Sequence, residues 1–145
     1  MENKIIIDAN FLVAIAYPQD PHNAHAQKIF QEKIVHEPLF FINNYLVAEA
    51  MTITLLRSKN IKQINFLKEN VLEKHREILT ILQFSKELDE EVYKMFSSQQ
   101  KYKGEFLSYV DCSLIVQARK QNIKTIFTFD TTLQQFSDEF DIIGV

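Results

Sequence analysis

The chain has 145 residues, of which 46% are hydrophobic and 24% charged, a balance typical of one folded globular domain rather than a disordered chain. Its net charge of −3 argues against a broad nucleic-acid-coating surface, which is usually basic, but permits a small acidic pocket that binds phosphates through cations. Two glycines are too few for the dinucleotide or Walker A loops, and the single cysteine, Cys112, excludes an internal disulfide and a multi-cysteine zinc site.

The hydrophobic segments are short. No apolar run reaches the ~18 residues that a membrane span requires, and no basic segment precedes an apolar stretch with a cleavage site. We therefore expect a cytoplasmic protein without a membrane partner, folded as a single domain over residues 1–145.

Short apolar runs alternate along the chain with longer segments of helical periodicity. Strands are predicted at Lys4–Asp8, Leu39–Ile42, Ile78–Phe84, Thr125–Phe129 and Asp141–Val145. Helices are predicted at Asn10–Ala16, His22–Val35, Asn44–Ser58, Ile61–Lys74, Lys86–Tyr102 and Tyr109–Gln121, with a short one after Asp130. Continuous hydrophobicity, as in "KIII", is typical of strands covered on both faces. The order predicts an α/β domain whose central, mostly parallel sheet of about five strands is flanked by helices on both faces.

Three acids stand at the ends or beginnings of these elements. Asp8 follows "KIII", Asp130 follows "TIFTF", and Asp111 begins the helix "DCSLIVQARKQNI". Ligands of parallel sheets bind beyond the carboxyl ends of the strands, where two of these acids fall. Each acid taken singly is also a favoured helix N-cap, and Ser108 with Asp111 has capping-box spacing, so a purely structural role stays open for each.

Glu49 does not fit the capping interpretation, because it lies inside the helix "NNYLVAEAMTITLL". Its neighbours one turn away, Tyr45, Leu46 and Ile53 among them, make its face largely apolar. A carboxylate in such a face costs several kcal/mol (order of magnitude) unless it is paired or binds a metal. Arg57 lies too far along the helix to be its obvious partner. We therefore expect a cation against Glu49.

Together the acids indicate a metal site. Clustered carboxylates raise one another's pKa unless a cation neutralises them, and a set of oxygen ligands suits Mg²⁺ or Mn²⁺. No serine–histidine pair offers a covalent route. The fitting chemistry is metal-assisted phosphodiester hydrolysis. The acids concerned are Asp8, Glu49, Asp111 and Asp130.

In this order and spacing the residues resemble the PIN domain family of nucleases, in particular the VapC-like toxins of bacterial and archaeal toxin–antitoxin pairs. "IIIDANFLV" is similar to the opening strand of the family and "NNYLVAEAMTIT" to its second helix. "LSYVDCSLIVQARKQNIKTIFTFD" is similar to the stretch that carries the third and fourth acids. The resemblance covers essentially the whole chain and implies a single PIN-like domain over residues 1–145.

The resemblance implies a Mg²⁺- or Mn²⁺-dependent endoribonuclease. The implied catalytic and metal ligands are Asp8, Glu49, Asp111 and Asp130, supported by the polar side chains of Asn10, Ser108 and Thr128. It also implies an RNA substrate, a cognate antitoxin protein and a homodimer. The chain departs from the family pattern in having Asn43-Asn44 where a Ser or Thr is common. It also lacks the "D-x-D-F" pattern after the last acid, since Phe136 and Asp138 come later, and this departure bears on a second metal ion.

Basic and histidine-bearing segments offer further candidates. "QQKYKGE" places Lys101, Tyr102 and Lys103 in a loop before the third acid, where they either contact RNA or form an ordinary loop. Arg57 and Lys59 are candidate phosphate contacts. His22 and His25, three residues apart, have the spacing of a metal pair but are expected to be ordinary solvated histidines.

Two other functions compete with the nuclease hypothesis. The first is a non-catalytic PIN-fold module that binds RNA or a partner protein, although a pure binding domain gains nothing from crowded carboxylates. The second is a receiver-like phosphoacceptor or a haloacid-dehalogenase-type phosphotransferase. These need a paired acid or a D-x-D near the first strand, and "DAN" supplies neither.

Overall fold

Consecutive buried residues in the first strand show that helices cover both faces of the sheet. The computed structural model describes residues 3–145. Its strands are β1 (Lys4–Ile7), β2 (Leu39–Asn43), β3 (Leu79–Leu82), β4 (Thr125–Phe127) and β5 (Asp141–Ile143). Neighbouring residues of a strand point to opposite faces, yet Ile5 and Ile6 are both fully buried.

The five strands of the described chain form one sheet in the order β3-β2-β1-β4-β5. Every adjacent pair is parallel. The predicted α/β architecture is thereby confirmed, and the sheet is parallel throughout rather than mostly parallel. Strand β1 is central, and β4 pairs with it directly, so the carboxyl ends of these two strands meet at one edge of the sheet.

The helices follow the predicted order. They are α1 (Ala9–Ala16), α2 (Asn23–Ile34), α3 (Asn44–Ser58), α4 (Ile61–Phe66), α5 (Lys86–Ser97) and α6 (Tyr109–Lys120). A π-helical segment, Leu67–Glu73, continues α4, and a 3₁₀ helix, Thr131–Phe136, follows the fourth acid. No helix within residues 3–145 is long and apolar enough to cross a membrane.

Two predicted helices end differently in the structure. The helix predicted over Ile61–Lys74 changes from α to π geometry after Phe66. The helix predicted to reach Tyr102 ends at Ser97, because serine hydroxyls take up its last carbonyl groups, as when Ser98 Oγ donates to Lys94 O at 2.6 Å. A glycine at φ +81°, Gly104, then allows a tight turn.

A buried amide network fixes α3 against α6. Asn43 caps α3 through its Oδ1, which accepts from the Leu46 N–H at 2.9 Å. Its Nδ2 donates to Ser113 Oγ at 3.2 Å and to Gln117 Oε1 at 3.0 Å, both on α6. All three polar residues are fully buried, so their mutual bonds avoid a desolvation cost. This network sets the position of the Glu49 helix relative to the Asp111 helix.

Candidate metal centre

Three carboxylates from separate segments meet beyond the ends of β1 and β4. Asp8, Asp111 and Asp130 each offer an oxygen, and these oxygens lie within 4.8 Å of one another. Asp8 directly follows β1, Asp130 lies shortly after the adjacent parallel strand β4, and Asp111 lies in the first turn of α6. The topology therefore brings together three of the four acids that the sequence singled out.

The threonine at the end of β4 joins the two strand-end acids. The Thr128 hydroxyl donates to Asp8 Oδ2 at 2.7 Å, and its oxygen accepts from the Asp130 N–H at 2.9 Å. Asn10 Oδ1 accepts from the Phe129 N–H at 3.1 Å. Thr128 is fully buried, so its contacts with Asp8 and Asp130 hold the two acids in fixed relation.

All three acids of the cluster also accept backbone hydrogen bonds at the N-termini of helices. Asp8 Oδ1 accepts from the Ala9 N–H at 2.8 Å, and Asp130 Oδ1 accepts from the Thr132 N–H at 2.9 Å. Asp111 forms the predicted capping box: its N–H donates to Ser108 Oγ at 3.0 Å, and its Oδ2 accepts from the Ser108 N–H at 3.2 Å. These backbone bonds occupy one oxygen of each acid, and the other oxygen of Asp8 accepts from the Thr128 hydroxyl. Each carboxylate oxygen has two lone pairs, so these bonds are compatible with metal binding.

Burial and mutual repulsion raise the pKa values of the clustered Asp8 and Asp111 carboxyls. Burial, and then repulsion from Asp111, raise the pKa of Asp8 to about 7, against the lowering effect of the Thr128 hydroxyl. Burial and the neighbouring Asp130 likewise raise the pKa of Asp111, against the hydrogen bonds from Ser108. A divalent cation at this point would favour the ionised carboxylates.

Glu49 faces the same cluster from α3 but lies outside the 4.8 Å group. Burial, and then the charges of Asp111 and Asp130, raise the pKa of the half-buried Glu49 carboxyl. None of the salt bridges found within residues 3–145 includes Glu49, so no protein cation sits against it in this part of the chain. Its nearest charged partners are the other acids.

The donor set fits a hard divalent cation. The three clustered ligands are all carboxylates, and neither a histidine nor Cys112 joins the group. Cys112 is fully buried on α6, as expected for a small core residue. Carboxylate oxygens with room for waters are the ligands that Mg²⁺ and Mn²⁺ take.

The candidate RNA contacts are held by intramolecular interactions. Arg57 Nη1 donates to Asp20 Oδ2 at 2.7 Å while its side chain stays 47% exposed. Exposed Lys59 ends α3 in the left-handed conformation, φ 53°. In the loop before α6, Lys101 lies 5.6 Å from the Phe106 ring centroid and Lys103 lies 5.4 Å from that of Tyr102.

The same loop forms a tight reverse turn. Tyr102 and Glu105 pair through two backbone hydrogen bonds of 2.9 and 3.0 Å. Lys103 and Gly104 occupy the turn with φ of 49° and 81°. The lysines and aromatic rings therefore project from a structured hairpin.

The structure contains a stack of three aromatic rings beside the acids that was not predicted from the sequence. Phe129 stacks on Phe11, with ring centroids 4.9 Å apart and planes 13° apart. His22 stacks on Phe129 at 4.3 Å and 12°, while His25 meets the same ring at 5.7 Å and 48°. The residues come from three distant segments, and their spacing along the chain carries no signal of this contact.

Comparisons with known proteins agree with the fold. The PIN domain family profile matches residues 5–139. No curated protein matches the chain by sequence. The structure is similar to that of Mycobacterium tuberculosis VapC20, a sarcin-ricin loop cleaving toxin. The identity is 18% and the TM-score 0.76, over 90% of this chain and 93% of that one.

Two further structures are similar at comparable identity. VapBC2 from Rickettsia felis, bound to a DNA fragment from its promoter, has 15% identity and a TM-score of 0.64, over 96% of each chain. FitAcB from Neisseria gonorrhoeae has 18% identity and a TM-score of 0.56, over 97% of this chain and 96% of that one. At such identities the likeness establishes the fold. Because the family profile spans most of its length, the chain belongs to the PIN domain family.

Proposed function

We propose that the protein is a Mg²⁺- or Mn²⁺-dependent endoribonuclease that hydrolyses RNA phosphodiester bonds. One observation carries the proposal: Asp8, Asp111 and Asp130, from three separate segments of a PIN domain, offer oxygens within 4.8 Å of one another. Repelling carboxylates gathered in this way are stable as anions only with a cation between them. A domain that only binds a partner gains nothing from crowded carboxylates.

Asp8, Asp111 and Asp130 would hold the metal. When bound, Mg²⁺ or Mn²⁺ supplies Lewis-acid stabilisation of the phosphate and lowers the pKa of water. Glu49 lies outside the close group and has a raised pKa. We assign it to the rim of the same site, where its carboxylate completes the ligand set or accepts the proton of the attacking water.

The supporting side chains keep the acids in place. Thr128 orients Asp8 through a buried hydrogen bond, Ser108 orients Asp111 through the capping box, and Asn10 holds the backbone of Phe129. These contacts set the carboxylates before substrate arrives, which reduces the reorganisation that catalysis requires. Their role is positional.

The toxin assignment is part of the same proposal. The supporting observation is the fold shared with VapC20, a toxin that cleaves the sarcin-ricin loop. On this basis we propose an RNA substrate in the cytoplasm, a cognate antitoxin as inhibitor, and a homodimer. The candidate contacts with RNA are Arg57, Lys59, Lys101, Tyr102 and Lys103.

Cleavage of a mixed pool of short single-stranded RNAs tests the nuclease proposal. We expect cleavage with Mn²⁺ or Mg²⁺ and none with EDTA. Asp111→Asn should lower the rate at least ~100-fold, because even changes around metal ligands cost 10–100-fold. The matched control is Asp138→Asn, an exposed acid outside the cluster, which should cleave at the wild-type rate.

Two outcomes would contradict the proposal. If folded Asp111→Asn cleaved RNA at the wild-type rate, the metal site would be wrongly assigned. If the wild-type protein bound Mn²⁺ but cleaved no RNA in the pool, the non-catalytic binding module would be favoured instead.

A further inference from the structure

The three-ring stack runs from the core to the surface beside the acidic cluster. Phe11, at its base, is fully buried, Phe129 is half-buried, and His22 is exposed. The near-parallel planes of 12° and 13° place the imidazole as the outermost layer. Phe129 covers one face of that imidazole, while the residue as a whole is exposed to solvent.

The backbone that carries the outermost ring is anchored to a buried carboxylate. The backbone N–H of His22 donates to Asp20 Oδ1 at 2.8 Å, and Asp20 is itself only 5% exposed. Arg57 neutralises that buried carboxylate through its 2.7 Å contact with Oδ2. The anchored backbone and the stack of the ring on Phe129 both reduce the freedom that the imidazole loses when a second ring stacks on it.

The position of the stack relates it to the cluster. Phe129 lies between Thr128 and Asp130 in the sequence. Thr128 donates a hydrogen bond to Asp8, and Asp130 is itself a member of the acidic cluster. His22 and Arg57 also line one surface cavity of about 420 Å³. The outermost ring thus shares a cavity with a cation, and the stack is joined to the acidic cluster through adjacent residues of one segment.

On the basis of the proposed nuclease function, we propose that His22 is a stacking platform for an unpaired base of the RNA next to the scissile phosphate. Proteins that recognise single-stranded RNA stack splayed bases on aromatic and histidine rings. A base inside a continuous duplex has both faces covered and cannot use the platform. The site therefore selects single-stranded or looped RNA, with Arg57 beside the platform for a phosphate oxygen.

The test uses a short oligoribonucleotide that the wild-type protein cleaves with Mn²⁺. We expect His22→Ala to raise KM about tenfold, the loss of one base stack, with kcat nearly unchanged. His22→Phe, which keeps a planar ring, should restore KM. His36→Ala, an exposed histidine without a ring contact among the described residues, is the matched control and should match wild type.

A second readout separates stacking from a merely structural role. The same oligonucleotide is made with single abasic positions around the cut. One abasic position should raise KM for wild type yet have no effect on His22→Ala, because the partner of that base is already absent. If His22→Ala leaves KM unchanged, if His22→Phe fails to rescue, or if no abasic position is coupled to His22, the platform is refuted while the nuclease stands.

A binding measurement tests the platform independently of the nuclease proposal. Binding of a 2-aminopurine-containing single-stranded RNA is followed by fluorescence quenching, which needs no cleavage. Quenching by wild type and His22→Phe but not by His22→Ala supports the platform even if no RNA is cut. Equal quenching by all three proteins, or none, refutes it.

Discussion

At the scale of single residues, Asp8 combines a helix cap with a place in the acidic cluster. It caps α1, accepts a bond from Thr128 and faces Asp111 within the cluster. It is only 3% exposed, so its carboxyl lies in surroundings that disfavour the charge. The helix cap that the sequence allowed for Asp8 is confirmed, and its role as a metal ligand stays a prediction. The extent of burial, which shifts its pKa, comes from the packing around it.

This buried carboxyl predicts a pH dependence of stability without metal. The pKa of Asp8 is about 7 in the folded chain and ~3.9 in an unfolded one. The folded state therefore holds the proton more tightly, and the stabilisation this gives is complete below pH ~4 and is lost as pH rises through about 7. We expect the free energy of unfolding in EDTA to fall over that range by a few kcal/mol, at ~1.4 kcal/mol per pKa unit.

Asp8→Asn isolates that contribution. The amide keeps the shape of the side chain and removes the titration, so the variant should be more stable than wild type in EDTA at pH 7 to 8. Urea denaturation of both proteins at several pH values measures the difference. A difference that does not change between pH 4 and pH 7 would show that the pKa of Asp8 is not raised.

At the scale of elements, the strand that supports Thr128 is β5. The Thr128 N–H donates to Ile143 O at 3.0 Å, and the next residue, Gly144, has φ +119°. A Cβ at Gly144 would lie 2.1 Å from the Thr128 carbonyl oxygen. The chain at the end of β5 thus lies so close to Thr128, the threonine that orients Asp8, that only a glycine fits there.

Gly144→Ala should displace Thr128 and, through it, Asp8. We expect a lower melting temperature and weaker Mn²⁺ binding, measured by thermal unfolding with and without the ion. Gly104→Ala is the matched control: it also has positive φ, but its Cβ would meet nothing within 4 Å. It should lose only the ~1–2 kcal/mol of the left-handed conformation and bind Mn²⁺ like wild type. Equal Mn²⁺ affinity in the two variants would refute the link between β5 and the site.

At the scale of the whole molecule, the strand order assembles the cluster. Because β4 lies beside β1 and parallel to it, residues far apart in sequence end at the same edge of the sheet. Helix α6 then directs Asp111 to that edge, and the Asn43 network holds α3 with Glu49 against α6. The site thus depends on the complete fold.

Metal should therefore stabilise the whole fold. An ion that binds only the native state adds RT ln(1 + [L]/Kd), ~2.7 kcal/mol at 100 times Kd. We expect Mn²⁺ and Mg²⁺ to raise the melting temperature of wild type and of Asp138→Asn, but hardly that of Asp8→Asn. The effect should weaken below pH 7, where protons compete for Asp8. No shift with wild type at pH 8 would exclude a metal site among these acids.

Much of this could be predicted from the sequence, for identifiable reasons. Period-two and continuous apolar runs reflect which residues are buried. The predicted bounds of the strands and of most helices therefore agree with the structure to within a few residues. The end of α5 was missed because it depends on serine side chains and on a turn at Gly104, which helical periodicity does not register. Within residues 3–145 the charges that raise the pKa of Glu49 are those of Asp111 and Asp130, and the cation expected against Glu49 stays a prediction.

The sequence by itself determined the chemical groups and the order of the elements: an α/β chain with acids at strand ends and helix starts. Only the tertiary structure decided which groups meet. It placed Asp8, Asp111 and Asp130 within 4.8 Å, left Glu49 at the rim, and stacked His22 on Phe129. The physical reason is that local pattern sets burial and helix capping, whereas proximity between distant segments is set by strand order and packing, which no single segment encodes.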